Sequence, residues 1–217
     1  CAFGTSAVAA PIVLDFEGLQ DLEPVAGFYD GGVGGFGSGP GTNFGVTFNA
    51  DTLAIIDADA GGTGNFGGEP SPDTVMFFLT GSAAVMNVAA GFDTGFSLFY
   101  SAINQPGSLQ VFDGLNGSGN LLASLALPVT PSDGGDPNGG FSPFVPVGVG
   151  FAGTARSVAF AGVADQIGFD DVTFGSTTPG AVVPEPGTFA LFGLGLVGLG
   201  GFIRRRKKNK VEIVPSA

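Results

Sequence analysis

Histidine and tryptophan are absent from this 217-residue chain, and cysteine occurs once, at Cys1. Lysine is missing from the whole stretch between Pro11 and Val183, where Arg156 is the sole cation. Each absence removes a class of function. One cysteine cannot form a disulfide within the chain. Without histidine there is no Ser-His-Asp or Cys-His relay and no imidazole-ligated metal. A stretch with seventeen Asp and Glu against one Arg repels phosphate backbones, so no nucleic-acid partner is expected. Such a surface attracts divalent cations and basic groups instead. Sugar platforms built on Trp are excluded, and only Tyr29 and Tyr100 could supply a tyrosine face.

What is present is glycine, at 40 residues, and phenylalanine, at 22, within a chain that is 44% hydrophobic and 12% charged. Disordered chains have few aromatics and many charges, so this composition reads as a folded, loop-rich β protein. No long helical period occurs between Pro11 and Gly175. Short Val/Ile/Phe/Leu runs alternate with Gly, Pro, Asn and Asp clusters, which predicts strands at Ile12–Phe16, Phe44–Phe48, Leu53–Ile56, Thr74–Leu79, Val85–Val88, Phe96–Ser101, Ser108–Phe112, Leu121–Leu127, Ser157–Ala161 and Ile167–Phe174. About ten strands at this spacing predict an all-β, jelly-roll-like β-sandwich over residues 11–176. Tyr29–Asn43, Asp57–Asp73 and Thr130–Pro146 are read as long loops.

Both ends read as targeting segments. Residues 1–10 are small and apolar, and Ala7-Val8-Ala9 fits the small-x-small rule, so they are expected to be the remnant of a secretory signal peptide. Residues 177–183 are read as a linker. Beyond it, Thr188 to Ile203 carries no charge, and as a helix would span about 24 Å. That is somewhat short of the ~30 Å hydrocarbon core, a gap that flanking residues or bilayer thinning can close. Arg204, Arg205, Arg206, Lys207 and Lys208 follow directly and set the orientation, with the β domain outside and residues 209–217 as a cytoplasmic tail.

Val183-Pro184-Glu185-Pro186, the apolar span and the basic cluster together resemble the PEP-CTERM sorting signal of Gram-negative bacteria, over residues 184–208. The resemblance implies an inner-membrane precursor, cleavage near Pro184-Glu185-Pro186 by an exosortase, and release to the surface or the extracellular polysaccharide matrix. Nearly all the positive charge of the chain belongs to this removable piece.

Leu14-Asp15-Phe16-Glu17-Gly18 and Ile167-Gly168-Phe169-Asp170-Asp171-Val172 open and close the β domain. This pairing resembles jelly-roll modules of the carbohydrate-binding type, whose adjacent terminal strands often hold a structural calcium. Carried over, the resemblance implies calcium oxygen ligands from Glu17 and Asp171 first, and Asp15 and Asp170 next. A second acidic cluster, Asp57, Asp59, Glu69 and Asp73, lies in a Gly-rich loop without EF-hand spacing and reads as a solvated loop.

Three classes of function follow. A non-enzymatic structural or adhesive matrix protein accounts together for the acidic domain, the missing catalytic inventory and the sorting signal. A calcium-stabilised carbohydrate-binding module is the alternative, with Tyr29 as the glycan contact. A glycoside hydrolase using two carboxylates is a third.

Overall fold

A computed structural model describes residues 10–132 and 140–180. Eleven strands are found among them. They are β1 (Ile12–Leu14), β2 (Val46–Phe48), β3 (Thr52–Ile56), β4 (Thr74–Phe78), β5 (Ala83–Phe92), β6 (Gly95–Ser101), β7 (Gly107–Phe112), β8 (Leu121–Leu127), β9 (Val145–Gly150), β10 (Ala155–Ala161) and β11 (Gly168–Phe174). The ten strands expected from the sequence are all present, with ends shifted by a few residues. The eleventh, β9, replaces the end of the expected loop 130–146. Its sequence VPVGVG alternates half-buried Val with exposed Pro and Gly. Among the described residues it pairs only with β6, at the sheet edge, where an internal proline is tolerated.

Two antiparallel sheets result, in the orders β3-β4-β11-β6-β9 and β2-β5-β10-β7-β8. Only the β3–β4 and β7–β8 connections stay within one sheet. The sheets share one core. Phe96 meets Phe160 at 5.8 Å and Phe160 meets Phe169 at 5.2 Å between ring centroids, both edge-on, linking the central strands of both layers. These rings are fully buried, each contributing roughly 1.5–3 kcal/mol. This is where the phenylalanine abundance is used.

β11 has two partners along one edge. Its second half pairs with β1, from Leu14↔Val172 to Ile12↔Phe174. Its first half pairs with β4 through Phe169↔Met76. β1 and β4 therefore lie end to end beside β11, and the acidic residues of the chain's opening and closing motifs fall at the joint between them.

The segment after β11 stays attached. Ser97 Oγ donates to the Ser176 carbonyl at 3.0 Å, and Gly180 N donates to Thr173 Oγ1 at 3.1 Å. Ser176–Gly180 thus belong to the sandwich, which moves the expected linker start at 177 beyond Gly180. Residues 1–9, Pro184-Glu185-Pro186, the apolar segment 188–203 and the basic cluster lie outside the described residues. No described helix is long and apolar enough to cross a membrane.

Candidate functional site at the acidic joint

The joint is built where two strands must stop. Phe16 (φ 61°) and Asp171 (φ 46°) are both left-handed, a conformation uncommon for non-glycine residues. Phe16 lies two residues beyond the end of β1, and the β11–β6 register shifts between Asp170 and Thr173. With the ladder interrupted, backbone donors at the joint need other acceptors, and side-chain carboxylates supply them.

Asp170 is completely buried. Its Oδ2 accepts from Ser71 N at 2.9 Å and its Oδ1 from Asp171 N at 2.7 Å. The Ser71 hydroxyl lies 2.7 and 2.8 Å from the two carboxylate oxygens, and 3.1 Å from the Asp15 carbonyl. Burial outweighs these bonds and pushes Asp170 up to about 7 from 3.8. Asp171, half-buried, is raised by burial and then by the charge of Asp15. Glu17 does a comparable task on the β4 side. Its Oε1 accepts from Asp73 N and Thr74 N, both at 2.9 Å, and so caps the start of β4.

Of the four acids that the sequence pairs, Asp171 feels the charges of Asp15 and Asp170, Asp15 is exposed at the rim, and the Glu17 carboxylate is turned to Asp73 and Thr74. Asp170 and Glu17 already spend oxygen lone pairs on backbone N–H groups. Among the described residues, no group of three or more acidic, His or Cys side chains forms a ready metal site. The second cluster is dispersed. Asp57 is buried and Asp59 exposed. Asp57 N donates to the Asp73 carbonyl at 2.9 Å, closing the base of the loop.

Tyr29 corrects the sequence reading. It is 3% exposed and offers no face to a sugar. Its ring packs edge-on to Phe16 and Phe28 and stacks on Phe44. Its hydroxyl accepts from Phe16 N at 2.6 Å and donates to Asp15 Oδ1 at 3.3 Å. Burial, then the Asp15 charge, raises its pKa. Tyr29 is therefore a core residue whose polar end braces the joint. Its place in a Gly-rich run suggested exposure, but the flanking Phe28 and Phe44 enclose it.

Sequence reasoning missed Glu23, which is fully buried. Its Oε1 accepts from Phe36 N at 2.7 Å and Ser38 N at 3.1 Å, and its Oε2 from Gln20 N at 2.7 Å. Burial alone would raise its pKa, but hydrogen bonds led by that of Ser38 hold it below the usual value. The signal was a lone Glu before a loop of glycines, whose free N–H groups require an acceptor. The loop so fixed presents Phe36, 60% exposed.

Comparison with known proteins bears chiefly on the C-terminal end. Residues 182–207 match the family model of the PEP-CTERM protein-sorting motif. No curated protein matches the chain. Among solved structures, it is similar to the K2 cleaved adhesin domain of Lys-gingipain, at 11% identity and a TM-score of 0.46, over 76% of this chain and 97% of that one. It is also similar to a carbohydrate-binding module from Cellvibrio mixtus lichenase 5A, at 13% identity and a TM-score of 0.36, over 59% and 88%. A glycoside hydrolase family 43 arabinoxylan arabinofuranohydrolase from Bacillus subtilis shows 17% identity and a TM-score of 0.38, over 59% of this chain and 25% of that one. These likenesses are distant. The chain thus carries a PEP-CTERM protein-sorting motif, which implies an exported protein sorted by an exosortase, and a β-sandwich that precedes the motif in the sequence.

Proposed function

We propose that this is a non-enzymatic structural or adhesive protein of a Gram-negative cell surface or its extracellular polysaccharide matrix. The observation that carries the reading is the union of the motif at 182–207 with a domain of seventeen carboxylates and one Arg. The buried carboxylates support it. Glu23 fixes a loop, Glu17 caps β4 and Asp170 ties Ser71 to β11, so each serves the backbone. The sheet-crossing connections fit the jelly roll expected from the sequence. The remaining acids give an anionic body suited to cation-mediated contacts with matrix polymers. Mass spectrometry of the protein released by its host tests the sorting step. A mature chain ending near Pro184-Glu185-Pro186 is expected, and intact chains held in the inner membrane would overturn it. Retention of the mature protein in isolated matrix, lost on washing with chelator, tests the adhesive role.

A second reading, calcium at the joint, has its own support. Asp15, Asp170 and Asp171 repel one another there, and a divalent cation would relieve both the repulsion and the burial of charge. Glu17 could complete the shell by giving up its bonds to Asp73 and Thr74. Millimolar calcium should then raise the melting temperature by several degrees in wild type and not in Asp171→Asn. No shift in wild type excludes the site.

A further inference from the structure

A sheet edge carries a row of N–H and C=O groups without ladder partners, and folded proteins usually shorten, cover or blunt such edges. This sandwich has edges at β1, β2, β3, β9 and β8. Four of them are managed. β1 is three residues long. β2 is covered by the segment before it, with Phe48 N donating to the Ala26 carbonyl at 2.8 Å and Val46 N to the Tyr29 carbonyl at 3.3 Å. β3 is covered in the same way, with Ala54 N donating to the Glu23 carbonyl at 2.8 Å and Val25 N to the Thr52 carbonyl at 3.1 Å. β9 is blunted by Pro146 and two glycines. β8 differs. It is the longest of the five, and its sequence LLASLAL holds no charge, proline or glycine. One side pairs with β7. On the other side, among the described residues, no backbone group of β8 is bonded. A bulge at Leu122 disturbs its start, but Ala123–Leu127 pair with β7 without interruption. Of the seven large apolar residues exposed among the described residues, three cluster here: Leu121 at 51%, Val129 at 47%, and Leu115 of the preceding turn at 39%.

We propose that β8 pairs antiparallel with β8 of a second copy of this chain, about a two-fold axis at Leu125. Two observations select this occupant. The first is that the strand matches itself, as an isologous contact requires. Centring on Leu125 sets Ala123 against Leu127 and Ser124 against Ala126. Each pair shares a face: Ser124 and Ala126 are exposed, while Ala123, Leu125 and Leu127 turn to the core. The same register lays exposed Leu121 on exposed Val129 of the second copy. The second observation is charge. Strands β6 to β10 hold one charged residue, Arg156. A basic partner would be drawn to the acidic remainder of the domain, whereas two copies of so anionic a protein meet at least cost where the surface is neutral. The pairing joins two five-stranded sheets into one continuous sheet. Seven residues extend about 24 Å, and β9 lies beside β8 on this flank, so each copy offers roughly 500 Å². That is at the low end for specific interfaces, and the dimer is expected to have a Kd on the order of 10 μM. The proposal does not depend on the matrix role.

Sedimentation velocity of the full chain in a non-ionic detergent, over about 1–100 μM, tests it. Every variant keeps the same C-terminal segment, so association through that segment is common to all. Wild type should pass from monomer to dimer, and the dimer should persist in high salt. One variant combines Ser124→Lys with Ala126→Lys, and another combines Ser124→Asp with Ala126→Asp. Each sets like charges across the axis and should weaken association about tenfold. An equimolar mixture of the two should restore it, because ammonium groups then face carboxylates, and this rescue excludes misfolding as the cause. Phe36→Ala, on a distant loop, should change nothing. A monomer at every concentration, charge variants that associate like wild type, or a mixture that stays dissociated would each overturn the proposal. Association that salt abolishes and the charge variants leave unchanged would also overturn it, placing the contact between the basic cluster and the acidic domain. Matrix retention of a strictly monomeric protein would sink this proposal and leave the proposed function standing.

Discussion

Asp170→Asn offers a sharp test of the joint, because it separates charge from shape. In wild type the carboxyl is raised from 3.8 to about 7 by burial. The folded state therefore holds a proton that the unfolded chain releases, and stability falls as pH rises through this window. The full cost, once both states are ionised above pH 7, is about 4 kcal/mol. Between pH 5 and 8 about 3 kcal/mol of it should appear. Glu23, held below its usual 4.5, acts in the opposite sense but only in more acid solution. In the variant the charge is gone, and one amide N–H, from Ser71 or Asp171, faces an NH₂ instead of an oxygen. That mismatch costs about 1–3 kcal/mol at every pH. Urea unfolding followed by circular dichroism at pH 5, 6, 7 and 8, in chelator, should show two lines that converge or cross. Wild type is more stable at pH 5, and the gap closes toward pH 8. The small slope left in the variant belongs to Asp171, whose shift has the same sign. A flat wild-type profile, or a variant with the wild-type slope, would refute the reasoning.

Other perturbations address neighbouring parts. Glu17→Ala removes the acceptor for Asp73 N and Thr74 N and should cost about 1–3 kcal/mol; hydrogen exchange should show these two amides losing protection while β10 keeps its own. Gly34→Ala places a β-carbon against Glu23 Oε1 and 2.7 Å from Leu19 Cδ2. Glu23 cannot withdraw without freeing three amides, so a lower melting temperature, by at least 4 °C, is expected. Phe160→Ala, between Phe96 and Phe169, should cost about 3–5 kcal/mol in urea unfolding.

Much of the sandwich was legible because its strands are short apolar runs set off by turn residues. Phe96–Ser101 and Leu121–Leu127 are bounded by glycine, proline or asparagine, and their ends match within one residue. β9 was not legible, since Pro146 and two glycines carry loop signals that are harmless on an exposed edge. The acidic joint was half legible. The pattern placed Asp15, Glu17, Asp170 and Asp171 together, but it could not show that two of them would be consumed by amides stranded where β1 gives way to β4. Tyr29 and Glu23 failed for one reason. Burial of a polar residue depends on which loop folds over it, and the one local hint, a lone Glu before a run of glycines, does not say that Glu23 turns inward to meet that run. The bridge between Phe66 and Phe141 was invisible for the same reason, as the two are far apart in the chain and meet only in the folded domain.

β11 has a mechanical consequence. At one end it runs into the segment that leads, in the sequence, beyond Gly180 toward the sorting motif; at the other, Phe169 pairs with Met76 of β4. A pull applied through the C-terminal side enters the domain along this single strand. Its bonds to β1 on one flank and β6 on the other then resist together, in shear rather than one at a time. The strand that closes the domain is thus also its tie-rod, the member that spreads such a pull over both of its flanks.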